Sequence, residues 1–326
     1  PYYRKGCLEN GPEPREPLAI PSDLRLDKHV DPAHRQSSAA LTAYSWFDGG
    51  TREWDPGESG AQRTLERFIE RGLDDYAEGR DRPDRENVSY LSPHLHFGEI
   101  SPQQARAAVL QQRGRAPDDS IDKFLSELGW RDFSAHLLLQ APDLPERNLQ
   151  KKFDRFPWLA DEKLFKAWET GNTGYPIVDA GMRELWRTGY MHNRVRMIAA
   201  SFLVKNLLQD WREGERWFWN GLLDADLANN AASWQWVAGC GADAAPYFRI
   251  FNPVTQGKKF DPEGIYVRRH VPEVAGLPDK FVQCPWEAPA DVLQEAGIEL
   301  GKTYPSPIVD LAESRQRALD AYATLS

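Results

Sequence analysis

Asp55-Pro56-Gly57-Glu58, followed by Ala61, Leu65, Phe68, Ile69, Leu73 and Tyr76, is the stretch on which the fold turns. It reads as an N-cap at Asp55, a first-turn proline and an acid at the third position. The apolar residues then recur at helical spacing, which predicts an amphipathic helix packed on a core through one stripe.

Working outward, Ser101-Pro102-Gln103-Gln104 repeats the same capping chemistry, and Ile121, Phe124, Leu125 and Leu128 form the stripe of a third helix. Ile177, Met182 and Leu185 mark another, and Val195, Ile198, Phe202 and Leu203 the next. Trp211 to Leu223 reads as helical and heavily buried. No sustained period-two alternation, hairpin signal or internal repeat occurs, so α/β and all-β folds are disfavoured. The expectation is an all-α fold with one domain over residues 46–326, its tail looser from about Val271 and closing on a short helix near Ile308 to Leu325. Residues 1–45 carry Pro1, Pro12, Pro14, Pro17, Pro21 and Pro32 without a hydrophobic period and read as a connecting segment between domains.

At 326 residues, 41% hydrophobic and 27% charged, the chain is long enough to bury a core. Its longest apolar stretch, Met197 to Val204, is far short of the roughly 20 residues a bilayer span needs. The formal net charge of −9 gives no global sign of nucleic-acid binding, so any such surface has to be local. Cys7, Cys240 and Cys284 are too few and too scattered for a disulfide framework or a CxxC site, and a reducing, cytoplasmic compartment is expected. The chain opens on Pro1 without an initiator Met and reads as an excerpt of a longer protein. Twelve tryptophans stand out, because indoles serve both packing and stacking on flat ligands.

Several motifs are decoys. Gly239-Cys240-Gly241-Ala242-Asp243-Ala244 fits a dinucleotide pattern but follows no strand, and is better read as a Gly-rich bend. Asp224-Ala225-Asp226 lacks a third oxygen ligand where Ala228 stands, so no metal is expected. Asn87-Val88-Ser89 is a glycosylation sequon without a secretion signal, and His94 and His96 lie two apart in a loop-like stretch, read as structural.

Other constellations carry chemistry. Asn193, Arg196 and Met197 stand at i, i+3 and i+4 within Met191-His192-Asn193-Arg194-Val195-Arg196-Met197, and Glu127, Trp130 and Arg131 repeat that spacing. Two polar faces on helices whose other stripes are core suit the walls of a pocket. Asp224-Ala225-Asp226-Leu227-Ala228-Asn229-Asn230 packs two carboxylates and two amides beside Ser233-Trp234-Gln235-Trp236-Val237. If buried they need partners, and Arg196 is an available cation for Asp224. Basic residues cluster at Arg80, Arg82 and Arg85, at Lys151, Lys152 and Arg155, at Arg249, Lys258 and Lys259, and at Arg268 and Arg269. The aromatic residues Trp158, Tyr247, Phe248, Phe251 and Phe260 lie among them, a mix that suits phosphate contact around an exposed base.

Together these segments resemble the DNA photolyase and cryptochrome family. The resemblance rests on Tyr90-Leu91-Ser92-Pro93-His94-Leu95-His96-Phe97-Gly98-Glu99-Ile100-Ser101-Pro102, on Glu127 to Phe133, and on Thr173-Gly174-Tyr175-Pro176-Ile177-Val178-Asp179-Ala180. It rests equally on the Met191 to Met197 segment, Asp210-Trp211-Arg212-Glu213-Gly214-Glu215, the Asp224 to Asn230 segment, Trp234-Gln235-Trp236 and the run Ala244 to Gly257. Their shared order covers Trp46 to about Glu273.

The resemblance implies a helical FAD-binding domain that holds FAD in a bent shape, with an antenna chromophore of unknown identity on a preceding α/β domain. It places Tyr76, Val88, Ser89, Tyr90, Leu91, Ser92 and Arg131 against the FAD diphosphate and ribityl chain, with Arg196, Asp224, Asp226 and Asn230 also at the cofactor. Arg196 with Asp224 matches the family's buried ion pair, and Asn230 falls where the group facing flavin N5 belongs. A neutral amide there favours a doubly reduced flavin, since it adds no carboxylate beside an anionic ring. Val88 stands where many members have Thr, and Tyr190 replaces a common Trp.

On the substrate side, Trp130 and Trp236 resemble the indoles that grip a flipped-out pyrimidine dimer, photolyases being a known case of base flipping. Glu127 is expected as a protonated carboxyl in an apolar setting that hydrogen-bonds the dimer, with Asn193 and Met197 bordering the same cavity. Arg80, Arg194, Arg249 and Gln256 match DNA contacts, and Trp158, Trp211 and Trp234 match a three-tryptophan electron chain, leaving the other indoles to packing. Asn193 and Met197 in place of His favour cyclobutane dimers over (6-4) photoproducts. The expectation is therefore a monomeric deoxyribodipyrimidine photolyase acting on UV-damaged DNA, found with the bacterial nucleoid when bound. A cryptochrome photoreceptor is the alternative.

Overall fold

The structure is a computed structural model that describes residue 14 and residues 54–243 and 248–325. The connecting segment expected over residues 1–45, with Cys7 and Trp46, lies outside the described residues except for Pro14, as does Tyr247. Helices account for nearly all regular structure among the described residues. No strand ladder occurs there, and pairing is confined to three isolated bridges, Arg113 with Ala116, Leu159 with Gln209, and Leu300 with Tyr304.

In chain order the helices are α1 (Glu58–Arg71), α2 (Tyr76–Gly79), α3 (Ser92–His96), α4 (Pro102–Leu110), α5 (Asp118–Gln140), α6 (Glu162–Glu169), α7 (Pro176–Thr188) and α8 (Asn193–Ser201). They continue with α9 (Trp211–Gly221), α10 (Leu227–Ala238), α11 (Pro253–Phe260), α12 (Ile265–His270), α13 (Asp279–Val282), α14 (Ala290–Glu295) and α15 (Leu311–Ala323). A π-helical turn, Phe202–Asn206, prolongs α8 and is buried along its whole length.

Local chemistry explains most boundaries. Ser101 and Gln104 form the expected reciprocal capping box, with backbone-to-side-chain distances of 2.8 and 3.1 Å. At α1 the expectation is corrected. The helix begins at Glu58 behind Gly57, whose φ of 91° no side chain tolerates well, and Asp55 does not cap it. Instead the Asp55 carboxylate takes two guanidinium bonds from Arg63, at 2.8 and 2.5 Å. His94 and His96 also depart from a loop, since both sit in α3, with His94 Nδ1 2.6 Å from Glu99 Oε2.

Two cores form. The first joins α1, α4 and the front half of α5 through Leu65, Phe68, Val109, Ile121, Phe124 and Leu128. The second and larger gathers α7 to α10, α12 and α15 around Trp168, Val195, Ile198, Phe202, Trp211 and Tyr266. Helix α5 ties them together, because it also packs along α10. The segment from Val271 is not loose as expected: Val271, Val274, Leu277, Val282, Ile298 and Tyr304 are all core, so this stretch closes the second cluster. The α9 expectation also needs correcting, since Trp219 is 43% exposed. Among the described residues no helix is long and apolar enough to cross a membrane.

Candidate active site

Helix α8 supplies the first wall. His192 caps it by accepting from the Arg194 N–H at 3.2 Å through Nδ1, and its own N–H donates to Glu184 Oε2 at 3.2 Å. Burial pushes the His192 imidazole down to about 3, so the ring caps as a neutral acceptor. Arg196 then reaches back to the Met191 carbonyl at 2.7 Å and across to Asp224 Oδ2 at 2.9 Å, with its guanidinium 5.4 Å from the Tyr190 ring centroid.

Asp224 is the most constrained carboxylate of the group, with a side chain only 4% exposed. Burial is the strongest single influence and would raise it, but the charge and hydrogen bond of Arg196, the Ser92 hydroxyl and Arg131 together hold the carboxyl below its usual range. Its Oδ1 is buried with no hydrogen-bond partner in the structure.

Asn230 projects from α10 and donates its amide nitrogen twice to Glu215, at 3.0 Å to the carbonyl and 2.9 Å to Oε1. The amide carbonyl therefore faces away from Glu215. Burial raises the Glu215 carboxyl above its usual range, the Asn230 bond opposing it. Asp226 caps α10 by accepting from the Asn229 N–H at 2.8 Å, and Arg131 approaches it at 4.0 Å.

The loop before α3 completes this cluster. Tyr90 takes a left-handed φ of 55° and lays its ring 5.3 Å from Tyr190, beneath which Arg196 sits. Leu91 is buried and its N–H bonds the Ser89 hydroxyl at 3.3 Å. Tyr76 is buried between Phe68 and Phe124, and burial pushes its phenol up to about 12. Tyr90, Ser92, Arg196 and Asp224 are thus brought together, while Val88 lies half-buried in the same loop.

The second group lies on α5, α8 and α10. Trp130 is 49% exposed and stands edge-on to Phe133 at 5.7 Å. Trp236 is half-buried and donates its indole N–H to the Asp243 carbonyl at 3.1 Å. Asn193 and Arg194 both approach the Met197 sulfur, at 3.9 and 3.8 Å. Glu127 departs from the apolar setting expected of it. Its oxygens are 3.0 Å from Arg80 and 3.4 Å from Lys123, and its side chain is 29% exposed. Arg80 and Arg194, expected on DNA, are each already paired, Arg80 with Glu127 and Arg194 with Asp81 at 2.8 Å. Arg249 is exposed and Gln256 is half-buried on α11.

Of the three chain tryptophans, Trp234 and Trp211 are buried and Trp158 is half-buried against Phe156 at 4.3 Å. Trp234 packs on Phe218 at 5.0 Å and on Trp168 at 6.2 Å. Not every remaining indole serves packing, for Trp186 is 56% exposed and stacks on Trp217 at 5.9 Å. Glu215 was legible only as part of a motif. Asn148, which accepts the Trp211 indole N–H at 2.9 Å, sits in a segment without any periodic signal.

The comparisons with known proteins fall on this geometry. The family model for the FAD binding domain of DNA photolyase matches residues 124–324. A deoxyribodipyrimidine photo-lyase of Agrobacterium fabrum is 52% identical over 327 residues, covering 100% of this chain and 68% of that protein. The chain belongs to the DNA photolyase family. A bacterial class III photolyase from Agrobacterium tumefaciens superposes at a TM-score of 0.92 with 52% identity, over 99% of this chain and 67% of that one. Cryptochrome-1 of Arabidopsis thaliana is 40% identical over 98% of this chain and 48% of its own length. The chain thus spans about two thirds of these photolyases and about half of this cryptochrome. The helical flavin-domain fold expected from the motif order is the one found.

Proposed function

We propose that residues 46–326 form the flavin-bearing, DNA-binding unit of a photolyase that repairs cyclobutane pyrimidine dimers in UV-damaged DNA. FAD, when bound, supplies light absorption and the electron that splits the dimer. The donor set fits it. Asp224 Oδ1 is a buried acceptor without a partner, matched to the polar groups of a flavin or ribityl chain. Asn230 offers a neutral carbonyl to the ring, its orientation held by Glu215, and adds no charge beside a reduced flavin. Arg131, Ser89 and Ser92 suit the diphosphate and ribityl oxygens.

The observation that supports the substrate reading is the packing of α5, which bears Trp130 and Glu127, along α10, which bears Trp236. The two indoles would grip a flipped-out pyrimidine dimer by stacking, and Glu127 with Arg80 would present an acceptor and a cationic donor to a pyrimidine imide edge. Asn193 and Met197 line the same wall. Arg194, Arg249 and Gln256 serve the flanking backbone, where Arg194 exchanges Asp81 for phosphate. Trp234, Trp211 and Trp158 carry an electron inward from the surface when the flavin needs reduction.

The test is illumination of the reduced, FAD-loaded protein with DNA containing a cyclobutane dimer. Loss of the dimer supports the reading, and its persistence with FAD bound and reduced overturns it. The 40% identity with a plant cryptochrome favours a second reading, a photoreceptor without repair. Weak binding to damaged DNA together with light-dependent association with a protein partner would select it.

A further inference from the structure

We infer that Asn148 is a positioning residue that keeps the indole proton on Trp211 while an electron hole passes through it, an inference that rests on the proposed tryptophan chain. Trp211 is fully buried, and its N–H donates to Asn148 Oδ1 at 2.9 Å. Asn148 is itself 5% exposed, and its amide nitrogen donates to Asp154 Oδ1 at 2.7 Å. The carboxylate thereby fixes which end of the amide meets the indole, because only the carbonyl can accept and only the NH2 can donate. The other charged groups at this ring are Arg212, whose guanidinium lies 4.7 Å from the ring centroid, and Asp210, which pairs with Arg212 at 3.0 Å. Arg212 also donates to the Glu146 carbonyl at 2.6 Å, so its position over the ring is held from two sides.

The consequence is chemical. An indole that loses one electron becomes a radical cation whose N–H is far more acidic than that of indole, comparable with a carboxylic acid. An amide carbonyl is too weak a base to take that proton, whereas a carboxylate or imidazole at the same place would take it. The hydrogen bond therefore stabilises the cation without neutralising it. The electron that Trp211 gives up goes toward the flavin. Trp211 returns to the neutral indole by accepting one electron from Trp158, and the half-buried Trp158 releases its proton to water. Had the proton left Trp211, the hole would stop there as a neutral radical.

Two measurements test this. In flavin-free protein with 15N-labelled indoles, the Trp211 N–H signal is the one absent from Trp211→Phe. It is expected downfield and protected from exchange, and Asn148→Leu moves it upfield and speeds exchange. An unmoved signal overturns the hydrogen bond. In FAD-loaded protein, a flash experiment on Asn148→His, whose imidazole can donate to Asp154 and still accept from the indole, is expected to replace the radical-cation band of tryptophan by the shorter-wavelength neutral-radical band. The decay should also become insensitive to Trp158→Phe. A wild-type band that keeps its sensitivity to Trp158→Phe overturns the role of Asn148, provided that Trp211→Phe still blocks photoreduction. Undiminished photoreduction in Trp211→Phe instead overturns the tryptophan chain itself, and the inference falls with it. Should Asn148→His fail to fold, the band and the Trp158→Phe dependence are read on the double variant Asn148→Asp/Asp154→Asn, which leaves a single carboxylate to accept the proton.

Discussion

Replacing Arg196 by Met removes one partner of the most enclosed ion pair near the cavity. The Arg196 side chain is 22% exposed and that of Asp224 only 4%, with 2.9 Å between them. Asp224 would then keep a buried charge, one oxygen already without a partner and only the Ser92 hydroxyl and the more distant Arg131 to help. Breaking such a pair costs about 3–5 kcal/mol, against less than about 1 kcal/mol for an exposed one. For a chain of this size that corresponds to a fall in Tm on the order of 10 °C. The double variant Arg196→Met/Asp224→Leu should recover most of the loss, because no charge is left unpaired. Acid should narrow the gap. In the native pair the Asp224 carboxyl lies below its usual range, so the pair's contribution is complete above the ordinary carboxylate value of about 3.9 and fades as pH falls through the native value. In the variant, burial acts unopposed by Arg196, so Asp224 takes up a proton at higher pH and the cost relaxes on mild acidification. Thermal and denaturant unfolding of the flavin-free protein from pH 8 to pH 5 gives the comparison. A single-variant loss under about 1 kcal/mol, or a double variant no better than the single, would refute the reasoning.

Gly214→Ala would set a methyl group into the Trp234 ring, with Leu203 Cδ2 at 2.6 Å on its other side, and should cost about 1–3 kcal/mol by overpacking; an unchanged denaturation midpoint would show that α9 can shift away. Glu215→Leu should release the Asn230 amide, whereas Glu215→Gln retains an acceptor; faster air oxidation of reduced flavin is expected in the leucine variant alone, and equal rates in both would detach Glu215 from the flavin. Burial holds the Lys205 amine well below its usual range, so the unfolded chain binds the extra proton and stability should rise as pH climbs toward about 10.4. Lys205→Met should lose that slope while costing about 1 kcal/mol for the bond to the Ala238 carbonyl, and parallel pH curves for the two proteins would refute it.

What the sequence made legible was periodic or local. The stripes of α1, α5, α7 and α8 appear in the spacing of Leu65, Ile121, Ile177 and Val195, and the Ser101 box needs only its own four residues. What it hid was pairing over distance. The resemblance implies a protonated Glu127 in an apolar setting, yet Arg80, at the C-terminal end of α2, meets its carboxylate. Asp55 looks like a cap until Arg63, two turns on, claims its carboxylate. The stretch from Val271 to Val282 lacks period because its helical turns are too short to show one, although Val271, Val274 and Val282 are fully buried. The site followed the same division. The density of polar groups from Asp224 to Asn230 pointed to the Arg196–Asp224 pair, while Asn148 and Glu184, which hold Trp211 and the start of α8, carry no mark in the sequence.

The acidic balance of −9 takes on a different meaning once these pairs are placed. In the proposed function Arg80 and Arg194 meet DNA, yet Glu127 and Asp81 pair with them in the structure. A phosphate or a pyrimidine edge that engages either arginine displaces a carboxylate of the protein itself. The exchange replaces one ion pair by another, so its net electrostatic gain is smaller than that of a free arginine. On the proposed function such a surface would hold undamaged duplex weakly, because backbone phosphates alone would scarcely repay the broken pairs. A flipped-out dimer, as proposed, would add stacking on Trp130 and Trp236 to the same exchange. Discrimination for the lesion would then arise from what the cations give up as much as from what the indoles gain.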